Sequence, residues 1–187
     1  MIPMETFRGF IAVDVKESAM LNEFKQALAS TPAKLKMVKN ENIHLTLKFL
    51  GETPLTQLED IETIMKKAVS SIKPHVVTLI GSGVFPNKDY IKVIWIGIKQ
   101  AKHLSTIASY LNENLTMLGF KKEKRDFSPH LTIARVKNAK GKKEINSLID
   151  QYTETIFAEI PINNIKLKKS TLTPQGPIYE TLKTIPL

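Results

Sequence analysis

Residues 43–50 read IHLTLKFL and residues 130–136 read HLTIARV, so the tripeptide His-Leu-Thr occurs twice in this chain. Both stretches are short and rich in β-branched and large apolar residues, a composition that predicts strands. Because side chains alternate between the faces of a strand, each His shares a face with the Thr two positions later, and the Leu between them points into a core. The sequence therefore predicts two half-buried strands that present His44, Thr46, His130 and Thr132 for chemistry.

The two motifs are preceded by similar segments. Apolar runs at 10–15 and 93–98 predict strands, and each is followed by a stretch with apolar residues at helical spacing, at 18–30 and 101–118. Gly119 follows the second stretch in the position where a glycine often ends a helix. A strand and a helix are therefore expected before each motif.

The segments after the two motifs also correspond. Thr53 is predicted to cap a helix over 54–72 with proline at its first position, and a helix over 143–152 follows the second motif. Each helix leads to a strand-like run, at 76–80 and 160–167, and a last strand is expected over 179–185.

These correspondences predict a single domain, 1–187, built from an internal duplication. Its halves cover about 8–85 and 91–170, with a C-terminal strand over 178–186. The turn-rich stretch 81–89 is the natural joint between the halves. An approximate two-fold axis would then place the two motif strands across a cleft from each other.

Composition narrows the class of protein. The chain has 187 residues, of which 42% are hydrophobic, enough for a sizeable core, and it contains no cysteine, which excludes disulfides and thiolate chemistry. No run reaches transmembrane length and no secretory signal opens the sequence, so a cytoplasmic protein without a membrane partner is predicted. The net charge of +9 favours a polyanionic partner such as RNA or a nucleotide.

Paired His and Thr side chains suit phosphodiester chemistry. One neutral imidazole can take a proton while a protonated one gives a proton, and threonine hydroxyls can donate hydrogen bonds to phosphate oxygens. The motifs contain no carboxylate pair, which makes them poor metal sites, and no Ser or Cys nucleophile stands beside an orienting acid. We therefore expect catalysis without a metal or another cofactor.

The chain resembles the 2H phosphoesterases, and within them the RNA 2′,3′-cyclic phosphodiesterases once called 2′-5′ RNA ligases. The resemblance covers nearly the whole length. It is carried by RGFIAVD at 8–14, HLTLKFLGE at 44–52, GVFP at 83–86, GF at 119–120, FSPHLTIAR at 127–135 and STLTPQGPIY at 170–179. One departure is Met37, where the family often has an aromatic residue, which puts a stacking role of that position in doubt.

The resemblance implies an α+β fold of two pseudo-symmetric lobes. Each lobe has an antiparallel sheet with helices on its outer face, and both motifs line a central cleft. The implied activity is hydrolysis of the 2′,3′-cyclic phosphate at an RNA end to a 2′-phosphomonoester, with tRNA fragments among the substrates. Separately, we expect the protein to be a monomer. By analogy, His130 is expected to act as base and His44 as acid, while Thr46 and Thr132 hold the phosphate oxygens.

Four more residues are candidates for substrate binding. By alternation Lys48 shares the face of His44, whereas Arg135 lies on the opposite face from His130 unless a bulge intervenes. Arg125 lies in a basic approach to the second motif, and Tyr179 is expected in the cleft from the resemblance. The remaining residues of chemical interest, His75, His103 and Trp95, are interpreted as structural.

Alternatives to hydrolysis of RNA ends stay open at this point. A second enzyme hypothesis is 2′-5′ RNA ligation or hydrolysis of a small cyclic nucleotide. A non-enzyme hypothesis is a protein that only binds RNA ends, although binding alone does not require two matched histidines.

Overall fold

The fold consists of nine strands and four α-helices in the computed structural model, which describes residues 5–138 and 140–187. In chain order these are β1 Thr6–Asp14, α1 Ala19–Ala29, β2 Lys34–Met37, β3 His44–Pro54, α2 Leu58–Val69, β4 His75–Pro86, β5 Ile91–Lys99, α3 Lys102–Asn114, β6 His130–Asn138, α4 Lys142–Gln151, β7 Ile156–Ile162, β8 Asn164–Thr173 and β9 Gly176–Pro186. Short 3₁₀ turns occupy Asn40–Asn42, Leu55–Gln57 and Leu115–Leu118.

The strands form two antiparallel sheets. The first has the order β3-β1-β8-β9, and the second has the order β2-β6-β5-β4-β7. Helices α2 and α3 pack against the first sheet, and α1 and α4 against the second. The predicted α+β architecture with two antiparallel sheets is thereby confirmed.

The motif strands β3 and β6 approach each other where the two sheets meet. Leu45 and Leu131 are fully buried, whereas the His and Thr on either side of each leucine are partly exposed. The alternation predicted for both motifs is therefore observed, because one face of each strand packs on the core and the other faces the cleft.

The two halves of the chain interleave between the sheets. β4 follows the first motif in sequence but pairs with β5 and β7 in the second sheet, while β8 follows the second motif and pairs with β1 in the first. Each sheet therefore takes strands from both halves, and one apolar cluster contains buried residues of both sheets. The internal duplication stays a prediction.

The predicted joint over 81–89 is wrong in its first part. β4 continues to Pro86, and a short turn follows before β5. Gly81 interrupts the ladder with β5 as a bulge and has φ +69°, and a Cβ at this position would collide with the carbonyl oxygen of Thr153. A glycine is thus required here by backbone packing within a strand.

Two predicted elements have different bounds in the structure. Thr53 does not cap a helix: it is the buried penultimate residue of β3, and its hydroxyl donates to the carbonyl of Gly51 at 3.1 Å. α2 begins only at Leu58, after a 3₁₀ turn. The run 160–167 is not one strand, because the chain passes from the second sheet to the first at Asn163.

The remaining helices match their predictions closely, and Gly119 takes a left-handed conformation with φ +87° where the helical segment 102–118 ends. Among residues 5–138 and 140–187, no helix is both long enough and apolar enough to cross a membrane.

Candidate active site

The two motifs meet in one cleft between the sheets, around a cavity of about 690 Å³. His44 is the first residue of β3 and His130 the first of β6, so both imidazoles stand at strand starts beside the cleft. Of the eight predicted site residues, the structure places six around this cavity: His44, Thr46, His130, Thr132, Arg135 and Tyr179.

Both motif imidazoles are held in the same way. Nδ1 of His44 lies 2.7 Å from the carbonyl oxygen of Asn42, and Nδ1 of His130 lies 2.7 Å from that of Ser128. A carbonyl oxygen only accepts, so Nδ1 must carry the hydrogen in both rings. Nε2 is then the nitrogen that is available to take or give a proton in each histidine.

The two histidines differ in their surroundings. The ring of His44 contacts Phe10 at 4.9 Å between centroids and Tyr179 edge-on at 5.2 Å. Burial lowers the pKa of His44 below its ordinary value, and the nearby ammonium of Lys168 acts in the same direction. The hydrogen bond to Asn42 and the carboxylate of Asp14 oppose this shift only in part. His130 instead lies edge-on to Phe85 at 5.1 Å.

A charged cluster lies behind His44. Asp14 is opposite His44 in the β1–β3 ladder, and its carboxylate accepts from the ammonium groups of Lys166 and Lys168. Partial burial raises the pKa of Asp14, but the hydrogen bonds from both lysines outweigh it and leave that pKa lowered. Lys168 is only 6% exposed, so its charge acts on His44 with little screening by water.

We expect Lys168→Met to shift the pH dependence of activity. Removing this cation makes protonation of His44 easier, so the pKa of His44 rises toward its ordinary value. In a plot of kcat/KM against pH, the limb that reports the titration of His44 should therefore move to higher pH.

Lys166→Met is the matched control, because it removes the same charge from the same carboxylate without a comparable influence on His44. A full kcat/KM profile of both variants measures the effect. A profile in which neither limb moves in Lys168→Met, or an equal movement in both variants, would contradict the influence of Lys168 on His44.

A bulge in β3 turns Lys48 away from the cleft. Ala12 pairs with Thr46 and Ile11 with Lys48, so Leu47 is an extra residue and the alternation shifts by one. Lys48 is 3% exposed, and its ammonium donates to Oδ1 of Asn112 at 2.8 Å and to the carbonyl of Lys121 at 2.7 Å. The prediction that Lys48 faces the same way as His44 is therefore wrong.

The same bulge occurs at the equivalent place in β6. Trp95 pairs with Thr132 and Ile94 with Ala134, which leaves Ile133 as the extra residue. Arg135 is thereby turned into the cleft, on the same side as His130. Alternation without a bulge would have placed it on the opposite face. Burial raises the pKa of Tyr179, and the positive charges of Arg135 and Arg8 partly oppose this rise.

The structure adds residues that the sequence prediction missed. Phe49, which replaces Lys48 on the cleft side, is 60% exposed, and Arg8 lies on the same face of β1 as Phe10. Alternation along β1 could have revealed Arg8, but Phe49 depends on the bulge. Buried Asn42, whose carbonyl holds His44, also donates from Nδ2 to the carbonyl of Pro177 at 2.9 Å.

Most of the other candidates lie outside the cavity. Arg125 is exposed in the loop 121–129 and does not line the cavity. Its contact with RNA stays a prediction. His75 and His103 contact each other at 4.8 Å between ring centroids, and Trp95 packs against Phe85. Met37 lines the cavity without offering an aromatic face. Within the described residues, no group of three or more His, Asp or Glu side chains could hold a metal ion.

Comparisons with known proteins identify the family. The model of the AKAP7 2′5′ RNA ligase-like domain family matches residues 10–187. A relative from Methanocaldococcus jannaschii is 42% identical over 94% of this chain and 98% of its own length, and one from Methanothermobacter thermautotrophicus is 34% identical over 96% and 98%. Both bear the name RNA 2′,3′-cyclic phosphodiesterase.

Solved structures show the same fold. The protein TT0787 of Thermus thermophilus has a TM-score of 0.79 and 26% identity, with 96% of this chain and 97% of that protein covered. E. coli LigT, solved with 3′-AMP, has a TM-score of 0.74 at 22% identity, with 98% and 99% covered. From the family match and the identity to these relatives, this chain belongs to the AKAP7 2′5′ RNA ligase-like domain family of 2H phosphoesterases.

Proposed function

We propose that this protein hydrolyses the 2′,3′-cyclic phosphate at the end of an RNA and leaves a 2′-phosphomonoester. The observation that carries the proposal is the matched pair of imidazoles in one cleft, each held through Nδ1 and each with Nε2 available. The name shared by the relatives, RNA 2′,3′-cyclic phosphodiesterase, supports the same reaction.

In the proposed reaction the two histidines divide the proton transfers. Nε2 of His130 takes a proton from a water molecule, whose oxygen attacks phosphorus. The bond between phosphorus and O3′ breaks, and Nε2 of protonated His44 gives its proton to the departing O3′. The division of these two roles between the histidines follows from the resemblance to the family.

The groups around the imidazoles suit a phosphate substrate. The hydroxyls of Thr46 and Thr132 can donate to the non-bridging oxygens, where charge builds up during attack. Arg8 and Arg135 supply fixed positive charge at the cavity, and exposed Phe49 offers an aromatic face on which a base can stack. Acid, base and charge stabilisation are thus all available from the chain itself.

The experiment is incubation with an oligoribonucleotide that ends in a 2′,3′-cyclic phosphate, with EDTA present, followed by identification of the product. We expect a terminal 2′-phosphate at a rate that EDTA does not change, because no step uses a metal. A sample with added Mg²⁺ is the control for EDTA.

Three results would contradict the proposal. RNA that binds without turnover indicates a protein that only holds RNA ends. A 3′-phosphate product means that the other ester bond breaks, and a rate that collapses with EDTA means that a metal takes part.

Residence in the cytoplasm, a monomeric state and tRNA fragments as the natural substrate stay predictions.

A further inference from the structure

The cavity has an unusual balance of charge. Five of its lining residues are cationic, and none of the lining residues found among 5–138 and 140–187 is acidic. The cations are Arg8, Lys36, Lys39, Arg135 and Lys137. We refer to Lys36, Lys39 and Lys137 as the basic strip.

The basic strip follows the edge of the second sheet. Lys36 lies on β2 directly opposite Arg135 on β6, and Lys137 lies two residues beyond Arg135. Like charges opposite each other on neighbouring strands destabilise a sheet. Of the three strip lysines, only Lys39 has a carboxylate of the described residues within 4.0 Å, that of Glu41 at 3.9 Å. Apart from that pair, the positive charge of the strip is not neutralised by carboxylates of the described residues, so it is available to an anion.

The strip extends beyond the reach of a single phosphate. Lys137 follows His130 by seven positions on β6. At about 3.3 Å per residue this separates their backbones by roughly 20 Å along the strand. A phosphate between the two imidazoles cannot also contact Lys137, so the strip fits an anion with several phosphates in a row.

We propose that the basic strip binds the RNA backbone on the 5′ side of the cyclic phosphate, so that the protein prefers RNA ends to free cyclic mononucleotides. This inference rests on the proposed function, because it places the reacting end between His44 and His130. It deepens that function by assigning one surface of the molecule to the rest of the RNA chain.

A second basic surface provides the contrast. The loop 121–125 contains Lys121, Lys122, Lys124 and Arg125 and lies outside the main cavity. Unlike the strip, it includes an acidic residue, Glu123, and Lys122 is already paired with Glu113. Its positive charge is therefore partly neutralised by the protein itself.

The experiment compares two triple variants that remove equal charge. The strip variant is Lys36→Gln, Lys39→Gln, Lys137→Gln, and the loop variant is Lys121→Gln, Lys122→Gln, Lys124→Gln. Each is assayed on a cyclic mononucleotide and on an RNA of about ten nucleotides that ends in a cyclic phosphate. The measured quantity is chain-length preference, the ratio of kcat/KM for the RNA to kcat/KM for the mononucleotide.

We expect the strip variant to lose about tenfold or more of its chain-length preference, while the loop variant retains it. Because each neutralised phosphate of a single strand contributes about 0.7 to the slope of log affinity against log salt, the slope for RNA should fall by about two in the strip variant. Fluorescence anisotropy with RNA that ends in a 2′-phosphate measures that slope.

Distinct results would overturn the inference. Equal losses of chain-length preference in both triple variants indicate that the overall positive charge attracts RNA without a defined binding surface. A larger loss in the loop variant indicates that RNA binds to the loop 121–125. Equal losses on both substrates place the lysines at the reacting phosphate. If the wild type binds RNA but turns over neither substrate, the proposed function fails. The anisotropy comparison of the two triple variants still shows whether the basic strip binds RNA.

Lysines on the short edge strand β2 could instead serve to prevent pairing with other chains. The double variant Lys39→Gln, Lys137→Gln leaves β2 unchanged and separates this explanation from RNA binding. We expect it to lose chain-length preference while staying monodisperse in size-exclusion chromatography. Retained preference in this variant would contradict the inference.

Discussion

His44→Ala and His130→Ala should each lower kcat for hydrolysis of a cyclic-phosphate RNA by roughly 10²–10⁴-fold, the usual contribution of a positioned acid or base. Both imidazoles have the same Nδ1 contact, and either loss removes one of the two proton transfers. Single-turnover measurements with saturating enzyme separate this loss in the chemical step from any change in binding.

His75→Ala is the matched control for these variants. His75 also begins a strand, and its Nδ1 donates to the carbonyl of Lys73 at 2.9 Å, but it lies outside the cavity. We expect kcat within about twofold of wild type for this variant. A similar loss in all three variants would mean that these histidines act on stability, and near-wild-type activity in either motif variant would refute two-histidine catalysis.

A modified substrate separates the acid from the base. When sulfur replaces O3′ of the cyclic phosphate, the leaving group is a thiolate, which needs little protonation. We expect this substrate to restore much of the activity of His44→Ala and little of that of His130→Ala. Rescue of His130→Ala instead would mean that His130 is the acid and His44 the base. Catalysis by two histidines would then still hold.

Thr46→Val and Thr132→Val should each lower kcat by roughly 10²-fold, which is typical for the loss of one hydrogen-bond donor to a developing oxyanion. Valine keeps the branched shape of threonine and removes only the hydroxyl, so the strand and the neighbouring imidazole should keep their positions. The pH limits of activity should therefore stay where they are in the wild type, because neither threonine titrates.

Thr78→Val serves as the control for the threonine variants. Thr78 is a partly exposed strand residue in β4 whose hydroxyl contacts Gln100 outside the cavity. Its replacement should leave kcat within about twofold of wild type. If Thr46→Val and Thr132→Val raised KM with kcat unchanged, the hydroxyls would bind ground state and transition state equally well.

Local sequence was sufficient for the features that depend on neighbouring residues alone. The alternation His-Leu-Thr places imidazole and hydroxyl on one face because a strand has a period of two. Helix ends such as the one at Gly119 follow from backbone preferences of a single residue. The family resemblance then supplied the two-sheet architecture, which the periodicity of short segments does not specify.

Pairing between strands determined the features that were predicted wrongly. Lys48 points inward because the bulge at Leu47 forms against β1, and Thr53 belongs to a strand because β1 pairs with β3 along its whole length. The turn-rich stretch after Ile80 continues as a strand because β5 provides a ladder partner. β1 is far from β3 in sequence, and β5, although it follows β4 after a short turn, lies outside the turn-rich stretch itself.

The sequence by itself thus determined which four side chains face the cleft. In each motif the His and the Thr are two residues apart, and this spacing places both side chains on the same face of the strand. Tertiary structure decided what surrounds them. It buried Lys48, turned Phe49 and Arg135 toward the cavity, and placed Lys168 behind His44. The physical reason is that a bulge and a cross-sheet contact depend on the register of two strands, and that register is set only when the sheets assemble.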